Sequence, residues 1–394
     1  MDKVGVKAEW EKAREVIVYT PRYEQLFYGV IHPSAGSFES AFNPVVAIEE
    51  HIRFRTLLSQ NGVKVINLED TIRSDYEALR NLATLSLSHT KIDRNGIEKE
   101  DRKRYKEEVL SLHSEDILFQ IIVTMPEVVR GRSHSNRSAN QGYRVNPLMN
   151  LYFQRDPYIT TDKGIVIGRM RKSVRKDETR VIETLLGILG INPVYQVNGR
   201  GVLEGGDFIP AGRFALIGCG LRTNQEAISQ LLKNNAFGYD EVAVVFDPYK
   251  KEHEMHLDTY FEIVGEDKAL IVQDRIDTKR QKADPAKTSM VQVYERDTSG
   301  SYRIKNSLEE GIRFEEYMGS KGFELIPIPK EMQMNYGVNV LTIESGKIIA
   351  VKDVHPQYRG LLSKHGIEAV EVDLANLTKG YGGPHCMTQV IKRG

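Results

Sequence analysis

The strongest constraint on how this chain folds is an internal repeat that shows in the order of its chemistry more than in residue identity. Each unit opens on a polar cluster, enters an apolar strand, turns tightly, runs a second apolar strand and passes through a helical segment to a third. The first clear unit opens on Arg155-Asp156 and predicts strands at 158–161, 165–168 and 193–197, with a helix near 181–189. The second opens on Glu204-Gly205-Gly206-Asp207 and predicts strands at 208–210, 214–218 and 242–246, with a helix from Thr223. The third opens on His256-Leu257-Asp258 before strands at 260–264 and 269–272, and the fourth on Asn335 to Asn339 before strands at 340–343 and 347–351. Asp156, Asp207 and Asp258 are evenly spaced, 51 residues apart (207 − 156 and 258 − 207). Asn339 follows Asp258 by 81 residues (339 − 258), and the excess falls in the polar stretch 274–306, expected as a surface insertion. Thr223-x-x-Glu226 and Ser307-x-x-Glu310 read as capping boxes.

A fifth unit has to be split between the ends of the chain. The C-terminal end predicts a strand at 387–392, and the N-terminal region predicts a strand at 15–19, a helix around 44–60 and a strand at 63–68. Joining the last strand to the first closes a ring, and repeats of about 50 residues that close radially make a propeller. The expected fold is therefore α/β: a five-bladed pseudo-symmetric α/β propeller of ββαβ units, made by residues 1–69 and 143–394. Between them, residues 70–142 turn charged and helical, most clearly at 98–112, without period-two strands, and are expected as an inserted helical bundle with a solvated face. In a propeller the equivalent ends of all units face one axis, so Asp156, Glu204, Asp207, His256, Asp258, Asn335, Asn339 and Cys386 are expected to converge.

Lys+Arg and Asp+Glu both number 54, so bulk charge favours neither nucleic acid nor an anionic membrane, and a small molecule is the expected partner. The two cysteines make no disulfide framework, no stretch approaches a membrane span, and the N-terminus resembles neither a signal nor a transit peptide. A reducing cytoplasm is the expected setting.

Cys386 lies in Gly382-Gly383-Pro384-His385-Cys386-Met387-Thr388, whose glycines permit a close approach to a ligand. By itself such a cysteine reads as an inert buried thiol. Placed on the axis with His256 and carboxylates, it reads as a nucleophile beside an acid/base. His253, His256, Glu252, Glu254 and Asp258 also allow a metal cluster, but His256-x-Asp258 can present both side chains to one pocket without His253. Gly205-Gly206 and the glycines at 380–383 match no phosphate-binding fingerprint. Asp156 and Asp258 form an acidic pair that suits a planar cation. Asp207 is as readily a structural turn residue, which leaves Glu204 the better catalytic partner.

At this point the motifs carry a resemblance. Asn150-Leu-Tyr-Phe-Gln-Arg-Asp156-Pro, Glu204-Gly-Gly-Asp207, His256-Leu-Asp258-Thr259 and Gly383-Pro-His-Cys386-Met-Thr resemble, in order and spacing, the motifs of arginine deiminases in the guanidino-modifying superfamily of pentein fold. The resemblance covers nearly the whole chain. It implies Cys386 as nucleophile, His256 as acid/base assisted by Glu204, and Asp156 and Asp258 as guanidinium ligands. It further implies Asn150, Arg175 and Arg222 as binders of a substrate α-carboxylate, and a homo-oligomer. Where some members carry an arginine just before the nucleophile, this chain reads Lys379-Gly380-Tyr381-Gly382-Gly383. The chemistry implied is hydrolysis of free L-arginine to citrulline and ammonia through a covalent amidino-thioester, which calls for no metal or organic cofactor. Agmatine deiminase and amidinotransferase are the nearest rival readings, and a non-enzymatic propeller scaffold is the distant one.

Overall fold

The computed structural model describes residues 4–91, 106–111, 114–132, 139–276 and 287–394. It is a mixed α/β fold in which five sheets share one pattern, an antiparallel pair followed by a third strand that joins in parallel. Four run in chain order: Tyr158–Thr161, Gly164–Ile167 and Tyr195–Gln196; Phe208–Ala211, Phe214–Cys219 and Glu241–Phe246; Phe261–Gly265, Lys268–Val272 and Glu324–Ile328; Leu341–Glu344, Lys347–Val351 and Glu368–Val372. The fifth is split as the sequence predicts: Gln389–Arg393 pairs antiparallel with Ala13–Val18, which Lys64–Asn67 joins in parallel. Strands such as Tyr158–Thr161 and Phe208–Ala211 are buried at every position, which explains their unbroken apolar runs. Tyr195–Gln196 is shorter than expected, although the Val194 and Val197 amides on either side still donate to the Ile165 and Ile167 carbonyls.

The helices form where caps and apolar faces coincide. Pro44–Gln60 starts behind Asn43, whose side chain accepts from the Val45 and Val46 amides, and buries Ala47, His51, Phe54 and Leu58 on one face. Gln225–Lys233 buries Ala227, Ile228, Leu231 and Leu232, but its cap is Asn224 rather than Thr223. The Thr223 hydroxyl instead accepts from the Glu204 amide, which leaves the neighbouring Asn224 to bond Ala227. Ser307 precedes only a short 3-10 turn, Leu308–Glu310, without capping it, and the next helix, Phe314–Ser320, starts behind Arg313.

Two segments differ from expectation. Helices Tyr76–Ser86 and Glu115–Thr124 lie within 70–142, but a three-stranded sheet of Ser88–Lys91, Pro126–Arg132 and Ala139–Val145 accompanies them, so the insertion is not purely helical. Its strands escaped notice because Val128-Val129 is flanked by Glu127, Arg130 and Arg132, and Ser88–Lys91 has no apolar residue, so no alternation shows. The charged stretch expected at 98–112 lies largely outside the described residues. The polar stretch after Asp274 is also more than a loop: the hairpin Met290–Arg296 and Tyr302–Asn306 extends the second sheet, with Met290–Arg296 antiparallel to Glu241–Phe246. Val291 and Val293 are buried in that pairing, and the polar residues between them disguised it.

Equivalent points of the five units are linked by hydrogen bonds that run full circle. The Gly205 amide donates to the Asp156 carbonyl, the Leu257 amide to Asp207 Oδ1, and Asn339 Nδ2 to the Asp258 carbonyl. The Gly383 amide then donates to Asn339 Oδ1, and the Arg155 amide returns to the Cys386 carbonyl. Each polar cluster thus fastens its unit to the next and faces the others. Among the described residues, no helix is long and apolar enough to cross a membrane.

Candidate active site

This circle gathers the reactive groups. Cys386, 3% exposed, sits in the turn before Gln389–Arg393 with its amide 3.3 Å from Asn339 Oδ1. A Cβ on Gly382 would stand 2.8 Å from Cys386 Cβ, so only glycine lets the preceding loop lie this close to the thiol. His256 and Asp258 flank Leu257, whose amide is held by Asp207, and Asp258 opens into the 3-10 turn Leu257–Thr259 rather than a strand. Asp207 therefore positions the turn that carries both side chains. Glu204 is buried, its Oε1 accepting from the Arg171 amide at 2.8 Å and its Oε2 standing 2.8 Å from His256 Nε2.

The two glycines after Glu204 have a steric reason. A Cβ on Gly206 would lie 2.8 Å from His256 Nδ1 and 2.9 Å from Asp258 Oδ1. Gly206→Ala is therefore expected to push the imidazole out of line and lower kcat/KM about 100-fold, the scale of a 1 Å misplacement. A steady-state assay beside circular dichroism checks this, since the fold should survive the added methyl.

The acidic pair brackets this group. Asp258 Oδ2 lies 3.5 Å from Cys386 Sγ and 2.8 Å from His385 Nδ1, whereas its Oδ1 is buried with no hydrogen-bond partner. Asp156 Oδ2 accepts from Arg175 Nη1 at 2.6 Å, and its Oδ1, 3.8 Å from His256 Nδ1, is likewise buried without a hydrogen-bond partner. Unpaired carboxylate oxygens in a closed interior are costly, which marks both as places for incoming N–H donors.

The charges tune one another. Burial opposes the protonated imidazole of His256, but the charge of Asp156, the Glu204 hydrogen bond and Asp207 outweigh it and raise its pKa to about 9. Burial likewise opposes the Glu204 carboxylate, yet His256, Arg222 and Arg175 hold its pKa low. Asp258 stays below the usual carboxylate range because the His385 hydrogen bond and charge outweigh burial. Burial, followed by the Asp258 and Asp156 charges, pushes the Cys386 thiol far up. At neutral pH the site thus holds an imidazolium, a neutral thiol and the ionised carboxylates of Glu204 and Asp258, while burial lifts Asp207 to about 7.

Arg175 and Arg222 are buried rather than solvated. Arg175 donates to Asp156, to both oxygens of Glu178 and to the Asn150 carbonyl, while Arg222 lies 3.4 Å from Glu204 Oε2 and 3.3 Å from Glu252 Oε2. The eight residues read from sequence as catalytic or substrate-binding thus lie close together, Asn150 joining through its backbone carbonyl. His253 stands apart, its Nε2 3.4 Å from Glu254, which Arg275 binds in turn. Ligand-type atoms of Asp156, Glu204 and His256 lie within 4.8 Å of one another, and so do those of Glu9, Glu262 and His385. Two residues without a sequence motif of their own join the cluster: His385 behind Asp258, adjacent to the nucleophile, and Glu178, three residues after Arg175. Lys172, whose ammonium feels the charges of Arg222, Glu252 and Glu204, carried no sequence signal at all.

A family model described as arginine deiminase matches residues 37–393. Among curated relatives, the chain is 24% identical to the arginine deiminase of Halobacterium salinarum (99% of this chain, 97% of the relative). It is 28% identical to that of Borrelia recurrentis (88% of each). Solved structures of similar fold include DDAH from Pseudomonas aeruginosa complexed with citrulline, at 17% identity and TM-score 0.56 over 96% of this chain and 99% of that one. Another is the N-terminal domain of ArgZ, an arginine dihydrolase from cyanobacteria bound to product, at 13% identity and TM-score 0.57 over 100% and 98%. These neighbours are of the pentein type. The chain belongs to the arginine deiminase family, as an enzyme that hydrolyses a guanidino C–N bond.

Proposed function

We propose that this enzyme hydrolyses free L-arginine to L-citrulline and ammonia through a covalent intermediate on Cys386. The observation that carries the reading is the pair of buried oxygens without a hydrogen bond, Asp156 Oδ1 and Asp258 Oδ1, beside Cys386 and His256. A planar guanidinium offers N–H groups on its edges and leaves its central carbon open to a nucleophile. Binding it between the two aspartates offsets the charges that, after burial, keep the thiol neutral, so the substrate helps ionise its own nucleophile. As the guanidinium binds, the thiol loses its proton to solvent; the thiolate then attacks the central carbon, His256 protonates the departing terminal nitrogen, and ammonia leaves. His256, now neutral, takes a proton from water, which attacks the thiouronium carbon and releases the ureido product and the thiol. Glu204 holds the imidazole upright and favours its charged form.

The same reading takes the five linked units as a five-bladed propeller of residues 1–69 and 143–394, supported by the closed circle of hydrogen bonds, with 70–142 as an insertion. The cytoplasmic setting and the homo-oligomer rest on sequence character and family resemblance. Asn150, Arg175 and Arg222 remain the candidates for the α-carboxylate. Arg222 is the stronger of the two arginines, because Arg175 already spends most of its donors on Asp156, Glu178 and Asn150.

The test is a colorimetric assay for ureido product with arginine, agmatine and peptidyl-arginine. Arginine should be turned over far more efficiently than the other two. Arg222→Ala should lower kcat/KM for arginine by roughly 2–5 kcal/mol and for agmatine by much less. Equal turnover of agmatine and arginine by the wild type contradicts the reading.

A further inference from the structure

Glu252 is the exposed end of the side-chain network around His256 and has no part in the chemistry above. It opens the 3-10 turn Glu252–Glu254 that leads to His256, and its side chain is 63% exposed. A short polar path connects it with the catalytic imidazole: His256 Nε2 to Glu204 at 2.8 Å, Glu204 to Arg222 at 3.4 Å, and Arg222 Nη2 to Glu252 Oε2 at 3.3 Å. The same Oε2 lies 3.8 Å from Lys172 Nζ, which also contacts the Ser37 hydroxyl at 3.3 Å. Both contacts run through Oε2, so Oε1 of this exposed side chain is open to a further donor.

Two cations and one carboxylate therefore meet a few ångströms from the imidazole that stands beside the proposed guanidinium site. That pattern matches a head group bearing both charges. In free arginine the carboxylate and the ammonium share one carbon, so a carboxylate bound by Arg222 brings the ammonium beside the neighbours of Arg222. Without Glu252, that ammonium would face Lys172 and Arg222 with only the buried Glu204, already bonded to His256 and Arg222, as a nearby counter-charge.

We propose that Glu252 receives the α-ammonium of the substrate while Lys172 joins Arg222 on the α-carboxylate, so that the trio selects the free amino acid. This rests on the arginine reading above. It is tested by measuring wild type, Glu252→Gln and Arg222→Ala with L-arginine, with agmatine, which keeps the amine but lacks the carboxylate, and with Nα-acetyl-L-arginine, which keeps the carboxylate but lacks the charged amine. Glu252→Gln should lose about tenfold in kcat/KM, mainly through KM, on arginine and agmatine and change little on the acetylated substrate. Arg222→Ala should lose most on arginine and the acetylated substrate.

An equal loss on all three substrates would mean that Glu252 merely holds Arg222, and a gain on both carboxylate-bearing substrates would mean that it competes with the carboxylate. Either result, or unchanged kinetics, overturns the proposal. A wild type that prefers agmatine to arginine fails the substrate reading instead. The role of Glu252 is then judged by agmatine against the acetylated substrate, where the same contrast is required.

Discussion

Cys386→Ala should bring citrulline formation down by roughly 10⁴-fold or more while leaving the fold intact. Both half-reactions pass through this sulfur, and no other nucleophile stands beside the orphaned oxygens of Asp156 and Asp258 among the described residues. The thiol makes only weak contacts, to Asp258 and Asn339, and sits in a turn whose amides Asn339 already holds, so a methyl group there leaves the backbone bonds in place. Cys219 is the internal control. It lies at the end of Phe214–Cys219, and burial followed by the Asp207 charge pushes its thiol to about 11, so Cys219→Ser should retain activity. Product assays on both variants, with thermal melts, check the contrast.

His256→Ala should slow ammonia release and thioester hydrolysis together, by roughly 10²–10⁴-fold, the range of general acid–base catalysis by one positioned group. The ionisation of this residue also gives a pH dependence with a definite sign. Its pKa is raised to about 9, so the acid form needed for the first step is present below that pH and disappears as pH rises through it. Wild-type kcat/KM should therefore fall above about pH 9. Glu204→Gln removes one of the groups that raise the imidazole, so the falling limb should move to lower pH in that variant. A pH–rate profile in which the limb stays put contradicts the role given to Glu204.

Much of this site was legible because the repeat put its chemistry at a fixed place in every unit. The even spacing of Asp156, Asp207 and Asp258 survives as a closed hydrogen-bond circle, and the split fifth unit closes through Ala13–Val18 and Gln389–Arg393. Apolar runs flanked by Gly and Asp turns read well, because strands buried on both faces leave no polar position to confuse them. What failed to read was built from mixed residues. The sheet inside 70–142 hides its strands behind charge, and the hairpin after residue 287 alternates apolar with polar residues that also suit a loop. Local capping was misjudged where tertiary contacts compete, as when Thr223 turned to Glu204 and left the helix to Asn224. Lys172 has no local signal, since nothing in its neighbourhood announces that it lies beside Arg222 and Glu252.

The most direct test of the account is mass spectrometry of wild-type enzyme acid-quenched during turnover of L-arginine, with the Cys386 peptide sequenced. The account predicts an adduct on Cys386 equal to arginine less one ammonia, present only during turnover and absent from Cys219. A bare amidino group on Cys386, with the ornithine portion gone, would instead identify a transferase. An unmodified Cys386 throughout turnover would contradict covalent catalysis altogether.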